Sequence, residues 1–361
     1  MATQRTKKKG SRKASKGLFR KVIFSFLIIL GLSAGGAFYY YYGKVFKPNI
    51  FLSNGKTDYV YIKTNDTFID VVNQLVDRKM LKDQNSFIWL SEMMKYDQSV
   101  KAGRYLVKSG MNNKDLISLL RSGKQEPLKL VIHSIRTKNE LAGKVGKQIE
   151  ADSSEIINLL NDKSYMMKFG LNSQNAISLF MPNTYEFYWN TTAERFLEKM
   201  HSHYEKFWNE ERLGKARSMR LTPGEVSTLA SIVQMETNKS DEKPTVAGVY
   251  MNRLRIGMAL QADPTVIFAI GDFSIKRVSK ADTKFPSPYN TYENKGLPPG
   301  PIYLPTQQSI DAVLNYRQHN YLYFCAKDDF TGYHTFTNDY NQHLANAAKY
   351  HKALNRRKIK R

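Results

Sequence analysis

The chain has 361 residues, 42% of them hydrophobic, and its 55 Lys and Arg outnumber 32 Asp and Glu to give a formal net charge of +23. That length suits two or three domains with a full core, and the single cysteine, Cys325 in the apolar run YLYFCA, excludes an intramolecular disulfide and is expected to pack in the core. Nine Lys or Arg and no acid precede Val22, and seven more lie in residues 349–361. Such basic ends suit anionic lipid or a polyanionic wall, and they carry neither interleaved aromatics nor a nucleic-acid motif, so no nucleic-acid partner is expected.

Residues 1–21 form a basic tail. Residues 22–42, VIFSFLIILGLSAGGAFYYYY, carry no charge and are long enough to cross a hydrocarbon layer of about 30 Å as a helix. Tyr39 to Tyr42 would form an aromatic belt at the far interface, and the preceding Lys and Arg put the amino terminus in the cytoplasm. The small residues 33–37 suggest a cleavable signal peptide, but the apolar run is longer than a signal core and continues into aromatics. The expectation is an uncleaved single-pass anchor in the cytoplasmic (inner) membrane, with everything after about Lys44 outside the cytoplasm.

Residues 43–58 read as a linker. YVYIKT then alternates as a strand, and Asp66 or Thr67 can cap a helix that turns Val71, Val72, Leu75 and Val76 inward. A helix over residues 86–96, a strand in GRYLVKSG, a helix over residues 111–121 stopped by Gly123, and a strand in LKLVIHSI follow. Helical stretches over residues 137–149 and 153–160 complete a small α+β module, residues 59–162. It holds neither a phosphate loop nor metal-ligand spacing, which points to binding or support.

Residues 163–350 are expected to form a mixed α/β catalytic domain, followed by a basic tail at 351–361. MPNTYEFYW reads as an aromatic turn-rich segment, residues 193–212 as one long helix and residues 212–220 as a basic connection. Next, Thr222 and Glu225 form a capping box with Pro223 at the first helical position. From there Leu229, Val233 and Glu236 recur at i, i+4 and i+7, with Ile232 beside them. A carboxyl group held against aliphatic side chains loses hydration of its charged form, its pKa rises, and it can act as a general acid near neutrality. Most helical glutamates are solvated or paired, so position alone does not make this one catalytic.

Downstream, residues 243–254 read as a helix with Val246, Val249, Tyr250 and Leu254 inward. Arg253 and Arg255 leave it where the chain turns, suited either to acidic groups of a substrate or to capping carbonyls. Asp263 before Pro264 reads as a helix N-cap, while Gln261 in the preceding loop has no such structural task. Residues 287–305, SPYNTYENKGLPPGPIYLP, hold five prolines and two glycines, which makes them a stiff extended loop presenting Tyr289, Asn290, Thr291 and Tyr292. Amides, hydroxyls and aromatic faces of this kind suit a sugar polymer, or simply a structural loop. A helix over 306–315, the strand YLYFCA and a loop with Gly332, His334 and Thr335 close the domain. His334 either reaches the site or packs behind it, and alone it does not make a metal site.

ASIVQMET, VYMNRLRIGMALQADPTVIFAIG and SPYNTYENKGLPPGPI, in that order, strongly resemble the membrane-anchored endolytic murein transglycosylases, the YceG-like family. The likeness extends through LFMPNTY, YLYFCA and GYHTF to near residue 350. Two departures, Ile177-Ser178 for a usual Glu-Gly and Asn183 within Pro-Asp-Thr, leave the central glutamate untouched. By this resemblance the N-terminal module is LysM-like and Glu236 is the catalytic glutamate. Gln261, Asn290, Thr291, Tyr292 and Arg253 are then the candidates for holding sugar, with neither a metal nor a cofactor expected.

The resemblance implies cleavage of the MurNAc-GlcNAc bond in peptidoglycan by attack of the muramyl C6 hydroxyl on its own C1, leaving a 1,6-anhydro ring. One acid suffices for this, whereas ordinary glycosidases use two carboxylates. An anchor would confine the site to nascent strands near the membrane, limiting their length alongside wall synthases. A hydrolytic muramidase and a non-catalytic wall-binding scaffold are the alternatives.

Overall fold

A computed structural model describes residues 13–53 and 55–356. Most of the expected N-terminal basic tail and the last five residues of the C-terminal one lie outside them. The chain divides into two compact units, Met1–Glu126 and Pro127–Arg361.

The first unit starts with α1 (Lys13–Phe46). Its apolar stretch, Gly17–Phe46, has 30 residues and contains an 18-residue window of mean hydropathy 2.1, none of which is buried by the rest of the chain. A helix this long and uncovered suits a membrane crossing, and it extends beyond residues 22–42 at both ends. There follow β1 (Thr57–Ile62), α2 (Phe68–Asp77), α3 (Gln84–Met93), β2 (Gly103–Lys108) and α4 (Asn113–Ser122). β1 and β2 pair antiparallel with Val60 opposite Tyr105. Their alternation turns Val60, Ile62, Tyr105 and Val107 onto Val71, Leu75, Phe87, Leu116, Ile117 and Leu120, all buried. Thr67 rather than Asp66 caps α2, in a capping box with Asp70, and Gly123 ends α4 at φ +71°.

The expected linker is only partly a linker. α1 runs to Phe46, Ile50 is fully buried and bridges Leu81, and Pro48 bridges Asn112. The buried amide of Asn49 bonds Asn113 Oδ1 at 2.7 Å and the Asp83 carbonyl at 3.0 Å. One apolar side chain and one amide were enough to draw the segment into the core.

The second unit begins with β3 (Leu128–Ile132), α5 (Lys138–Gly146), α6 (Ser153–Asn161) and α7 (Lys163–Met167). It continues through β4 (Asn183–Phe187), α8 (Ala193–Phe207), α9 (Glu210–Ser218), α10 (Pro223–Glu236), α11 (Lys243–Arg255) and α12 (Asp263–Ile270). α13 (Gln307–Leu314), β5 (Tyr323–Ala326), β6 (His334–Thr337) and α14 (Tyr340–Arg356) complete it. Each strand pair among the described residues is two-stranded and antiparallel, so this unit is α+β and mostly helical, not the α/β type expected.

Several boundaries differ from expectation. The division falls at Glu126/Pro127, not at 162/163, because β3 pairs with β4, Leu130 opposite Tyr185, and their side chains share one core with α10. MPNTYEFYW therefore contains a strand. The long helix after it breaks at Trp208, where Asn209 caps α9 through the Arg212 N–H at 3.0 Å, and the expected basic connection is that helix. α14 runs through the 350/351 boundary and buries Leu354.

α10 is the centre of this unit. Val226, Leu229, Ala230, Ile232 and Val233 are fully buried, with α9, α11, α12 and α13 packed around them. At Gly248 of α11 an added Cβ would lie 2.3 Å from the Arg317 carbonyl oxygen, so only glycine permits that approach.

Candidate active site

α10 starts as the sequence requires. Thr222 Oγ1 accepts the Glu225 N–H at 3.3 Å, and the Glu225 carboxylate accepts the Thr222 N–H at 2.8 Å. It ends at Glu236, after which Thr237 is extended. The negative end of the helix dipole thus falls on the Glu236 carboxyl and disfavours its ionised form. Near that end Gln234 and Ser231 hold the proline-rich loop. Ser231 Oγ accepts the Ile302 N–H at 3.0 Å, and Gln234 Oε1 accepts the Thr306 N–H at 2.7 Å.

Glu236 opens into a cavity of about 590 Å³ whose wall also includes Arg253, Gln261, Asp263, Tyr292 and His334. Its Oε1 accepts a 2.7 Å hydrogen bond from the hydroxyl of Tyr250, a fully enclosed side chain on α11. Burial pushes the Glu236 carboxyl up to about 7; the Tyr250 bond and Arg253 oppose this, and the charge of Asp263 adds to it. Burial and the neighbouring carboxylate hold the Tyr250 hydroxyl well above its ordinary range, so it keeps its proton and donates.

Asp263 is not the N-cap expected. Ala262 occupies that position without a side-chain cap, and Asp263 is the first residue of α12. Its Oδ1 accepts the Tyr292 hydroxyl at 2.6 Å, and burial raises its pKa against that bond. The cavity therefore holds two carboxyl groups, each with a tyrosine donor, where the sequence pointed to one.

The remaining expected residues divide between wall and scaffold. Gln261 lines the cavity with its backbone in the left-handed region, φ +49°, a conformation costly for glutamine and fixed here by its N–H to the Thr291 carbonyl at 3.0 Å. Arg253 is almost wholly buried. Its Nε donates to the Leu322 carbonyl at 2.7 Å and its Nη1 to the Leu260 carbonyl, while Nη2 has no protein partner among the described residues. Arg253 thus joins α11 to two loops and stands on the cavity wall.

Asn290 and Thr291 do not stand on the wall. The Asn290 amide donates to the carbonyls of Thr283 and Phe285 at 2.9 and 2.8 Å, and its oxygen accepts the Tyr292 N–H at 3.0 Å. Thr291 Oγ1 accepts the Ala262 N–H at 3.0 Å and lies 2.8 Å from Thr265 Oγ1. Both are buried braces whose polar atoms are occupied. Of the residues this loop was expected to present, only Tyr292 faces the cavity. Cys325, expected in the core, stands half-buried on the cavity wall.

Sequence reading missed Tyr250, the chemical part of Asp263, and the partner of His334. Tyr250 looked like any inward aromatic; the available signal was that a buried tyrosine hydroxyl needs an acceptor, and Glu236 lies nearby in the chain. His334 both reaches and packs. It lines the cavity, and its Nδ1 lies 2.9 Å from Glu242 Oε2.

Residues 60–349 match the sequence profile of the YceG-like family. Proteins named endolytic murein transglycosylase from two Streptococcus pneumoniae strains, D39 and R6, are each 27% identical over 360 residues, covering 91% of this chain and 65% of theirs. This chain thus spans a little under two thirds of their length. One of the same name from Bacillus subtilis is 26% identical over 339 residues, covering 88% of this chain and 91% of that protein. A crystal structure of a yceG-like protein from Listeria monocytogenes superposes with a TM-score of 0.55 at 25% identity, covering 80% of this chain and 98% of that one.

Proposed function

Because the chain belongs to the YceG-like family, we propose that it is an endolytic peptidoglycan lytic transglycosylase whose acid is Glu236. The observation that carries this is a carboxyl group that holds its proton to about pH 7 in a cavity with a tyrosine donor behind it. The relatives' name supplies the substrate class. Glu236 first gives its proton to the oxygen bridging N-acetylmuramic acid and N-acetylglucosamine. As carboxylate, steadied by the Tyr250 hydroxyl, it then takes the proton from the muramyl C6 hydroxyl as that oxygen closes on C1. Attack within one sugar supplies the orientation that a bound water would otherwise need. Arg253, Gln261 and Tyr292 hold the glycan along the wall, and Asn290 and Thr291 act through the loop they fasten.

In this reading α1 anchors the chain in the cytoplasmic membrane with its amino terminus inside. The first unit serves as a LysM-like glycan-binding module, and the substrate is the nascent strand, shortened beside the synthases that make it. Asp263 supports a second reading, a muramidase in which the extra carboxylate activates water. Against it, Asp263 Oδ1 already accepts the Tyr292 hydroxyl, which ties that carboxylate to the protein.

Mass analysis of products released from uncrosslinked glycan by the detergent-solubilised full chain separates the two. Transglycosylation gives 1,6-anhydro ends lighter by one water than hydrolytic ends, and Glu236→Gln gives neither. Reducing ends alone would establish the muramidase. Uncut strands with wild-type chain would leave only a binding role.

A further inference from the structure

Glu242 and His334 take no part in the proton transfers assigned to Glu236, yet His334 shares its cavity. Glu242, in the turn before α11, is only 7% exposed, and a carboxylate so buried must be satisfied by donors. Its Oε1 accepts the His334 backbone N–H at 2.8 Å; its Oε2 lies 2.9 Å from His334 Nδ1 and 3.4 Å from Thr237 Oγ1. A carboxylate accepts and does not donate, so Nδ1 carries the hydrogen of that contact, and in the neutral form of the ring that tautomer leaves Nε2 as an acceptor.

The ring is held in place. β5 and β6 put His334 opposite Ala326, and Phe324 meets the imidazole edge-on with centroids 5.4 Å apart. His334 lines the cavity, and its Nε2 has no hydrogen-bond partner among the described residues. The same wall carries the donors Arg253 and Lys276, the carboxyl groups of Asp263 and Glu236, and the neutral side chains of Gln261, His343, Tyr323, Tyr340 and Tyr350. The hydrogens of the Tyr250 and Tyr292 hydroxyls are already given to those carboxyls. A neutral acceptor suits a hydroxyl, and it adds no anion beside an acid that must keep its proton.

We propose that His334 Nε2 accepts a hydrogen bond from a sugar hydroxyl of the glycan in this cavity, with Glu242 as the positioning residue that fixes the ring and its tautomer. This rests on the glycan reading above. Two substitutions separate it from a purely structural role, because asparagine keeps an amide near the site of Nδ1 and glutamine one near the site of Nε2. If Nε2 meets sugar, His334→Asn satisfies Glu242 but lowers kcat/KM for glycan cleavage about tenfold, the scale of one lost hydrogen bond, and His334→Gln loses less. If His334 serves only to satisfy Glu242, the order reverses, with the asparagine variant the more active and the more heat-stable.

Glycan affinity in a Glu236→Gln background supplies a readout apart from turnover. Adding His334→Asn should weaken binding about tenfold and adding His334→Gln should weaken it less, measured on the detergent-solubilised full chain with uncrosslinked strands. Equal affinities, or the reversed order, overturn the inference while leaving wild-type cleavage, and so the function, intact. Wild-type chain that neither binds nor cuts the strands overturns both.

Discussion

Replacing Glu236 by Gln should stabilise the protein above neutrality and leave it almost unchanged in acid. The native carboxyl keeps its proton to about pH 7, against 4.5 for an unperturbed glutamate. Below pH 4.5 native and unfolded chains both hold the proton. Between 4.5 and 7 only the native chain does, so the unfolded state gains charge first and native stability falls as pH rises, the loss being complete above about 7. At about 1.4 kcal/mol per pH unit the gap corresponds to about 3 kcal/mol, and the partial solvent access of Glu236 reduces that to about 2 kcal/mol. Glutamine has no such proton to lose, and its carbonyl can still accept from Tyr250. Thermal melts of the full chain in detergent from pH 4 to 9 should therefore show the variant's midpoint pulling ahead by roughly 4–8 °C at alkaline pH, with the difference growing between pH 4.5 and 7. A difference independent of pH, or a variant less stable at alkaline pH, would refute the reasoning.

Tyr250→Phe removes the donor that holds the Glu236 pKa down. A hydrogen bond to a charged group contributes about 1.5–3 kcal/mol, so the alkaline limb of kcat should move upward by about one to two pH units; an unmoved limb would mean that Tyr250 does not tune the acid. Gly248→Ala puts a methyl 2.3 Å from the Arg317 carbonyl oxygen and should cost about 1–3 kcal/mol in denaturant unfolding, with neutrality showing that the loop can yield. Deleting residues 1–42 should move the chain from the membrane to the soluble fraction, and retention in the membrane would point to a second attachment.

What could be read from the sequence was local. Thr222, Pro223 and Glu225 announced the start of α10 because a capping box is complete within four residues, and the spacing of Leu229, Val233 and Glu236 placed the carboxyl on an apolar face. Gly123 and the uncharged run in α1 were equally plain. The parts that could not be read depend on distant partners. β3 looked like part of the first module because its partner β4 lies some fifty residues away behind Pro182 and Asn183, which disguise a strand. Asp263 beside Pro264 has the pattern of a cap, and only Tyr292, brought back by the proline-rich loop, turns its carboxyl to another use. Asn290 and Thr291 read as presented because prolines mark loops as exposed, but this loop is pinned by Ser231 and Gln234 and turns those side chains inward.

The most direct test follows the Glu236 carboxyl itself. Carbon-13 NMR of glutamate side-chain carboxyls in wild-type full chain, with Glu236→Gln identifying the resonance, should show one group titrating near pH 7 that vanishes in the variant. A Glu236 resonance with its midpoint near 4.5 would contradict the account, since no proton would then be available where the glycan bridge requires one.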